Sequence, residues 1–273
     1  MCEKLVSFHI LLAKDNYVSM CLNYTQYIKK IKTIWVCPSG SGFRLYLLFR
    51  STAQKDTASI PHTQNFIRRF KDMKKIFIIN GSQNFAHSGG KFNQTVTDWT
   101  IEYLTNSKQF EIKTTDIKQD FNLDEEVEKF VWADVVVYHT PVWWFQLPNL
   151  FKKYIDDVFT AGHNKGIYKS DGRTRTNPDI NYGTGGQLHG RKYMLTTSWN
   201  APATAFTLPG EFFEETSVDD GAMFGFHKMN KFTGMEKLNS FHFHDVEKGA
   251  TAENIVIFKE NYTKHLEKTF KTL

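Results

Sequence analysis

The residues whose types and spacing suit chemistry lie in three loops, and the first is the stretch from Gly81 to Asn93. It is rich in glycine and hydroxyl residues and leads from an apolar run, residues 76–79, into a helical pattern. The free N–H groups and the dipole of a helix N-terminus favour an anion at such a junction. The loop is not a Walker P-loop, because Phe85 replaces a required glycine and Phe92 stands where Ser or Thr would bind magnesium. We expect a phosphate or pyrophosphate here, with His87 as a candidate contact; an ordinary turn is the alternative.

The second loop, residues 140–148, holds two tryptophans and a phenylalanine between prolines. These are Trp143, Trp144 and Phe145, and they follow the strand predicted over residues 134–138. Stacked rings contribute beyond the area they bury. The loop therefore suits a planar ligand such as an isoalloxazine or a quinone. The alternative is that the tryptophans pack in the core or in a dimer interface.

The third loop, from Ser198 to Pro202, offers backbone groups and Asn200 to the edge of a heterocycle. Before it lies the segment 161–190, which is rich in glycine and polar residues. A connection this long inside a compact domain usually has a function. Tyr182, beside Gly183, is a candidate ligand contact in this segment, and a simple turn is the alternative.

Other kinds of site have less support in the sequence. His242 and His244 flank a residue that faces the opposite side of a strand, and no cysteine follows Met73, so a zinc site is not expected. A G-x-S-x-G elbow is absent, which argues against a serine hydrolase. No basic aromatic groove suggests nucleic acid, and no run of about 18 apolar residues suggests a membrane span.

The elements that must position the loops alternate regularly after Met73. The apolar patterns predict strands and then helices over the following residues: strands 76–79, 110–115, 134–138, 191–197 and 238–243; helices 93–106, 124–132, 149–160 and 251–270. This alternation predicts an α/β domain, a flavodoxin-like doubly wound five-stranded parallel sheet with helices on both faces. Ligands of such sheets bind at the carboxyl ends of the strands, beside the topological switch point. The three loops fall at those ends.

Charge separates the chain into two parts. Residues 1–72 hold 11 of the 34 Lys and Arg residues but four of the 29 Asp and Glu residues, so they carry +7 and the remainder −2. All three cysteines also precede Met73. We expect residues 1–72 to be an extension outside the fold, from an upstream start or without order, and residues 73–273 to form the functional domain. The basic charge therefore does not describe that domain, whereas its aromatic content does.

The loops, in this order, resemble the family of modulator of drug activity B, flavodoxin-fold NADPH:quinone oxidoreductases. The resemblance extends over about residues 73–270, and its densest stretches are Ile78–Gly81, Phe85–Ser88, Phe130–Val136, Pro141–Trp144, Lys152–Phe159, Ser170–Arg175, Tyr182–Gly186, Lys192–Leu195, Trp199–Pro202, Phe226–Lys228 and Phe232–Met235. One departure is Val142, where the family has glycine after the proline. Valine restricts the backbone there and can crowd a ligand.

The resemblance implies non-covalent FAD and a set of binding residues. The phosphates would be held by Ser88, Gly89, Gly90, Lys91, Phe92, Asn93, Gln94 and Thr95. The isoalloxazine would be bordered by Val142, Trp143, Trp144, Phe145, Ser198, Trp199, Asn200 and Ala201, with Tyr182 as a further contact.

The implied activity is two-electron reduction of quinones by NADPH, in a ping-pong hydride relay at flavin N5. A homodimer and a cytoplasmic location are also expected, and Tyr182 and bound water are candidates for the general acid. A non-enzymatic flavin- or partner-binding module is the alternative from another class. A broad reductase of nitro or azo compounds is the alternative within the same fold.

Overall fold

A computed structural model describes residues 5–8, 31–39, 42–49, 73–85, 88–271 and 273. The chain divides into two units, Met1–Ile67 and Arg68–Leu273. In the first unit, strands β1 (Leu5–Phe8), β2 (Ile31–Ser39) and β3 (Gly42–Phe49) pair antiparallel in the order β1-β3-β2. The rest of residues 1–72 lies outside the described residues. The expectation that this segment is an extension outside the functional domain stays a prediction.

The second unit is built on a parallel sheet. Its strands are β4 (Lys74–Asn80), β5 (Phe110–Asp116), β6 (Val135–Pro141), β7 (Lys192–Ser198), β8 (Glu236–Lys237) and β9 (Phe241–Phe243). The order is β5-β4-β6-β7, and both β8 and β9 pair with β7. After β4 the chain adds β5 on one side of it and then β6 and β7 on the other. The position between β4 and β6 is therefore the topological switch point of a doubly wound sheet. The predicted flavodoxin-like fold class is confirmed.

The fifth strand differs from its predicted extent. The sequence predicts one strand over residues 238–243, whereas the structure has two short strands that contact opposite ends of β7. Leu238 N–H still donates to Tyr193 O at 2.8 Å, but residues 238–240 leave the ladder. Asn239 and Ser240 are residues that favour turns over strands.

Helices cover both faces of the sheet. They are α1 (Lys91–Ser107), α2 (Leu123–Trp132), α3 (Asn149–Ala161), α4 (Thr204–Thr207), α5 (Phe224–Phe232), α6 (Val246–Gly249) and α7 (Ala252–Phe270). The side chain of Asn122 caps α2 by accepting from the N–H groups of Asp124 and Glu125. Thr251 caps α7 in the same way through Asn254 N–H. Both are ordinary N-caps that sequence reading can find.

The alternation of side chains along the central strands forms two cores. In β4, Phe77 and Ile79 pack with α2 and α3, whereas Ile76 and Ile78 pack with α1 and α7. All four are fully buried. A strand that is buried on both faces has apolar side chains at successive positions, and this pattern allows the central strands to be predicted from the sequence. The sheet is thereby fixed between two helical layers, and its carboxyl edge carries the three loops.

Candidate functional site

Backbone hydrogen bonds tie the three loops together at the carboxyl edge of the sheet. Gly81 N–H, after β4, donates to His139 O in β6 at 2.7 Å. Val142 N–H, after β6, donates to Ser198 O at the end of β7 at 3.0 Å. The loops after β4, β6 and β7 therefore form one surface beside the switch point, as the sequence predicts.

Asn80 organises the first loop. Its Oδ1 accepts from Ser82 N–H at 3.2 Å, from Ser82 Oγ at 2.9 Å and from Asn93 Nδ2 at 2.6 Å. Its Nδ2 donates to Gln94 Oε1 at 2.7 Å. Sequence reasoning did not identify this residue. Its only signal is a polar side chain at the end of an apolar strand, directly before a glycine.

The N-terminus of α1 lacks the groups that usually satisfy a helix start. Its N-cap is Gly90, in the left-handed region at φ +67°, with no side-chain cap. The first turn contains no acidic residue, and Lys91 is exposed there. The first N–H groups of a helix have no acceptor within it. This end of α1 is therefore open to an anion, with a cation beside it.

The predicted phosphate-binding residues divide by where their side chains point. Phe92 packs edge-on against Phe243 at 5.1 Å between ring centroids and belongs to the core. Asn93, Gln94 and Thr95 bond within the protein: Asn93 to Asn80 and His139, Gln94 to Asn80 and Asp98, and Thr95 to Lys91. Gln94 N–H donates to Gly90 O at 3.1 Å, so the backbone N–H groups left for a ligand in this stretch are those of Phe92 and Asn93. Ser88 and Gly89 are exposed, and His87 lies outside the described residues.

The second loop is a tight two-residue turn with a strained backbone. Trp143 and Gln146 exchange two backbone hydrogen bonds at 3.0 Å each. Between them, Trp144 has φ +47° and Phe145 has φ +64°. Positive φ at both central residues is the pattern of a type I′ turn, which normally requires Asn or Gly. Such a conformation costs about 1–3 kcal/mol per residue and is concentrated at functional sites.

This turn presents aromatic rings to the outside. Trp144 is 86% exposed. The ring of Trp143 lies against Phe85 of the first loop at 4.7 Å between centroids. Val142 is partly buried and its N–H is already used by Ser198 O. Trp144 is therefore the ring that a planar ligand can reach, whereas Trp143 joins the two loops.

The side chains of the third loop are less available to a ligand than the sequence predicts. Trp199 is 3% exposed, and its Nε1 donates to Thr197 Oγ1 at 2.8 Å. Asn200 Nδ2 donates to the Glu247 carboxylate. Ala201 O accepts from Asp245 N–H at 3.2 Å. The ring of Trp199 belongs to the core, and its backbone N–H and O are bonded to Phe243 O and Val246 N–H, both at 2.9 Å.

Two residues that sequence reasoning missed complete the aromatic surface. Phe212 stacks on Phe145 at 5.4 Å with an angle of 25° between the rings. Phe213 contacts Phe145 edge-on at 5.7 Å and stacks on Phe206 at 3.9 Å. The signal for them is a Phe-Phe pair in an otherwise polar segment.

Tyr182 does not join the three loops. The segment 162–190 leaves the C-terminus of α3 and returns to the start of β7, so both its ends are at the amino edge of the sheet. Tyr182 contacts Phe232, the last residue of α5, at 5.9 Å between ring centroids. That residue also precedes β8, whose partners are the first residues of β7. Tyr182 is 71% exposed and lies at the edge opposite the loops.

A buried polar network lies beneath the loops. His139 is fully buried; its Nε2 lies 3.1 Å from Thr100 Oγ1, and its Nδ1 has no partner among the described residues. Thr100 Oγ1 donates to Val96 O and lies 2.8 Å from the Tyr262 hydroxyl. Burial lowers the pKa of His139 to about 3. The imidazole is therefore neutral near pH 7.

A second network surrounds Asp219. Its carboxylate accepts from His227 Nε2 at 2.8 Å and from Lys237, and lies 3.3 Å from His242 Nε2. Burial opposes the charged form of Asp219, but the hydrogen bonds from these three partners outweigh it and hold the pKa of the carboxyl well below its usual range. His242 thus pairs with a carboxylate. Within the described part of the chain, no group of three or more His, Cys, Asp or Glu residues is arranged to hold a metal ion.

No helix among the described residues is long and apolar enough to cross a membrane. The expected cytoplasmic location stays a prediction.

Comparisons with known proteins agree with this geometry. A family model described as a flavodoxin-like fold matches residues 74–266. The NADPH:quinone oxidoreductase MdaB of Haemophilus influenzae is 43% identical over 195 residues, which cover 71% of this chain and 98% of that protein. An uncharacterised protein of Schizosaccharomyces pombe is 42% identical over 196 residues, covering 72% of this chain and 97% of its own.

A solved structure shows the same fold. It is a quinone reductase, described as putative in its source, from Klebsiella pneumoniae, with a TM-score of 0.57 and 20% identity, covering 71% of this chain and 84% of that one. The resemblance that the loop motifs indicate is confirmed. The chain belongs to the flavodoxin-like fold family and, within it, to the family of the NADPH:quinone oxidoreductase MdaB.

Proposed function

We propose that the protein is an NADPH:quinone oxidoreductase that uses FAD. The observation that carries the proposal is the pairing of two features at the switch point: the uncapped N-terminus of α1 and the exposed aromatic turn around Trp144. One suits a phosphate and the other a flat ring. A flavin nucleotide has both parts.

The residues present fit a flavin. Free N–H groups at the start of α1, with Lys91 beside them, would hold its phosphates. Gly89 lies beside open space, because a Cβ there would meet only Lys91 Cγ, at 3.9 Å. Trp144 and the backbone at residues 198–201 would border the ring system. FAD rather than FMN is the choice that family resemblance supports.

The reaction is NADPH + quinone + H⁺ → NADP⁺ + hydroquinone, which balances in atoms and electrons. When bound, the flavin supplies hydride acceptance and donation at N5, and the two substrates use one place in turn, which gives ping-pong kinetics. The chain supplies orientation: the turn at Trp144 and Phe145 fixes the substrate plane, and Asn80 fixes the phosphate end. The open edge at the exposed Trp144 admits water as the proton source, since His139 is buried and neutral.

A homodimer is part of the proposal. Tyr182, which the resemblance assigns to the flavin, lies at the edge of the sheet opposite the three loops. It can therefore contact a flavin only in a second copy of the chain. The exposed ring of Phe85 is suited to the same interface.

The test begins with the purified protein. We expect a yellow protein that releases FAD on denaturation, oxidises NADPH in the presence of menadione, and gives parallel lines in double-reciprocal plots. A colourless protein that binds neither FAD nor FMN would overturn the proposal. Flavin binding without quinone-dependent turnover would favour the non-enzymatic module, and faster turnover of nitro or azo compounds would favour the broad reductase.

A further inference from the structure

An exposed loop after β7 projects beside the aromatic turn. It runs from Thr207, the last residue of α4, to Ser217, between two buried anchors, Phe206 and Val218, which are 5% and 4% exposed. All of its residues are exposed except Phe213, which is half-buried. We name residues 207–217 the acceptor loop. Because these residues are exposed, packing in the core does not explain why two phenylalanines and three glutamates occur here.

The acceptor loop holds the aromatic turn in its strained conformation. Phe213 is fixed by near-parallel stacking on Phe206, at 3.9 Å and 6°. Phe212 is 72% exposed and stacks on Phe145, whose φ is +64°. Phe212 thus continues the surface of Trp144 and Phe145 with a further ring that has one face free.

Asp219 anchors this loop to the sheet. It follows Val218 directly and bonds His227 of α5, Lys237 of β8 and His242 of β9. Met223 N–H also donates to Val218 O at 2.9 Å. The position of Phe212 is therefore determined by the packed domain, although the ring itself is in solvent.

The charge of the acceptor loop has one sign. It carries Glu211, Glu214 and Glu215, all exposed, and no basic residue occurs between Lys192 and His227. Near the surface such charges raise the free energy of an anion and leave a neutral molecule unaffected. Glu211 and Glu214 directly flank Phe212 and Phe213 in the chain, which puts negative charge beside the aromatic surface.

We propose that the acceptor loop is one wall of the quinone site, and that Phe212 and the three glutamates select planar acceptors that carry no negative charge. The proposal rests on the quinone oxidoreductase function proposed above. It adds the residues that decide which acceptors fit. A planar ring would lie beside Trp144 and Phe145 and meet the free face of Phe212, whereas a sulfonated or carboxylated ring would meet the glutamates.

The first experiment measures binding without turnover. The dissociation constant of naphthoquinone is determined from quenching of tryptophan fluorescence in the oxidised holoenzyme, without NADPH. Phe212→Ala should weaken binding about fivefold, the fold-change expected from losing one stacked aromatic partner. The matched control is Phe224→Ala, another exposed phenylalanine (53%) that lies on α5 and contacts Lys228. It should bind as the wild type does.

The second experiment tests charge. kcat/KM is measured for naphthoquinone and for its ring-sulfonated derivative, because in ping-pong kinetics this ratio reports the acceptor half-reaction alone. Replacing all three glutamates (E211Q/E214Q/E215Q) should improve the sulfonated acceptor about threefold relative to the neutral one at physiological salt. The gain should grow at low salt and disappear at high salt.

The outcomes separate the two proposals. If NADPH does not bleach the visible absorbance of the flavin, the proposed function fails and this inference fails with it. If NADPH bleaches the flavin normally but Phe212→Ala binds naphthoquinone as tightly as the wild type does, the acceptor loop is not a wall of the quinone site. Equal losses in Phe212→Ala and Phe224→Ala would also overturn it, as would an unchanged preference in the triple glutamine variant.

Discussion

Gly90 is where the loop after β4 turns into α1, and replacing it by alanine tests the geometry of the phosphate end. Its φ is +67°, a region that costs an L-residue about 1–2 kcal/mol. A Cβ there would lie 2.9 Å from Ser82 Oγ and 3.2 Å from Ser82 Cβ. Ser82 is fully buried and donates to Asn80 Oδ1, so it moves only by weakening a bond of about 1 kcal/mol. We expect Gly90→Ala to lower the free energy of unfolding by about 2 kcal/mol.

The same displacement should reach the cofactor, because the free N–H groups begin at this residue. We expect flavin affinity to fall at least about tenfold, the equivalent of about 1.4 kcal/mol. Urea denaturation of the flavin-free protein measures the first effect, and titration of that protein with FAD, followed by flavin fluorescence, measures the second. The matched control is Gly89→Ala, whose Cβ would meet only Lys91 Cγ at 3.9 Å. Its stability should stay within about 0.5 kcal/mol of the wild type.

A double variant isolates the contact. Ser82→Ala alone removes one donor from Asn80, and Ser82→Ala with Gly90→Ala also removes the oxygen that the new Cβ would meet. The two substitutions should therefore cost less together than the sum of their separate costs. Strict additivity, or equal losses at Gly89 and Gly90, would refute the reasoning.

Three further substitutions address other parts of the second unit. Trp144→Gly should raise the free energy of unfolding by about 0.5–1 kcal/mol, because glycine accepts positive φ, and it should weaken naphthoquinone binding. Urea denaturation measures the first effect and fluorescence titration the second. A loss of stability would contradict the backbone strain assigned to Trp144. Asp219→Asn should lower the free energy of unfolding by about 1–3 kcal/mol at neutral pH. Because the pKa of Asp219 is depressed in the folded protein, its carboxylate stabilises the fold above about pH 4, and this stability is lost as the pH falls further. The difference in stability between Asp219→Asn and the wild type should therefore become smaller in acid. His139 stays neutral in the folded protein down to about pH 3, whereas the same residue in the unfolded chain takes up a proton below about pH 6.5. The wild type should therefore lose stability as the pH falls from about 6.5 to about 3, and His139→Leu should lose less. Urea denaturation at several pH values measures both.

The sequence predicts the central sheet well because its strands are buried on both faces. Residues 76–79 and 135–138 carry apolar side chains at successive positions, and the structure places both runs in the middle of the sheet. The flavodoxin-like sheet that their alternation with helices predicts binds ligands at the carboxyl ends of its strands. The positions of the three loops therefore follow from local patterns alone.

Features that depend on distant contacts were not predictable in this way. The fifth strand is interrupted because Asn239 and Ser240 leave the ladder, although their neighbours keep the apolar pattern of a strand. The charge and cysteine content of residues 1–72 do not indicate the sheet in which β1, β2 and β3 pair. Tyr182 lies within a glycine-rich segment whose two ends are at the amino edge, and its place depends on the contact with Phe232. Local sequence specifies none of these contacts.

The turn at Trp144 and Phe145 shows why the candidate site itself resists sequence reading. A two-residue turn with positive φ at both positions is normally signalled by Asn or Gly, yet this one contains two large aromatic residues. Its conformation is held from outside: Trp143 lies against Phe85, and Phe145 lies between Phe212 and Phe213. The strain is therefore balanced by stacking contacts that come from two other loops of the same edge. A local rule broken in this way, with compensation from distant residues and a tryptophan ring left in solvent, is what a binding surface requires and what a purely structural turn would avoid.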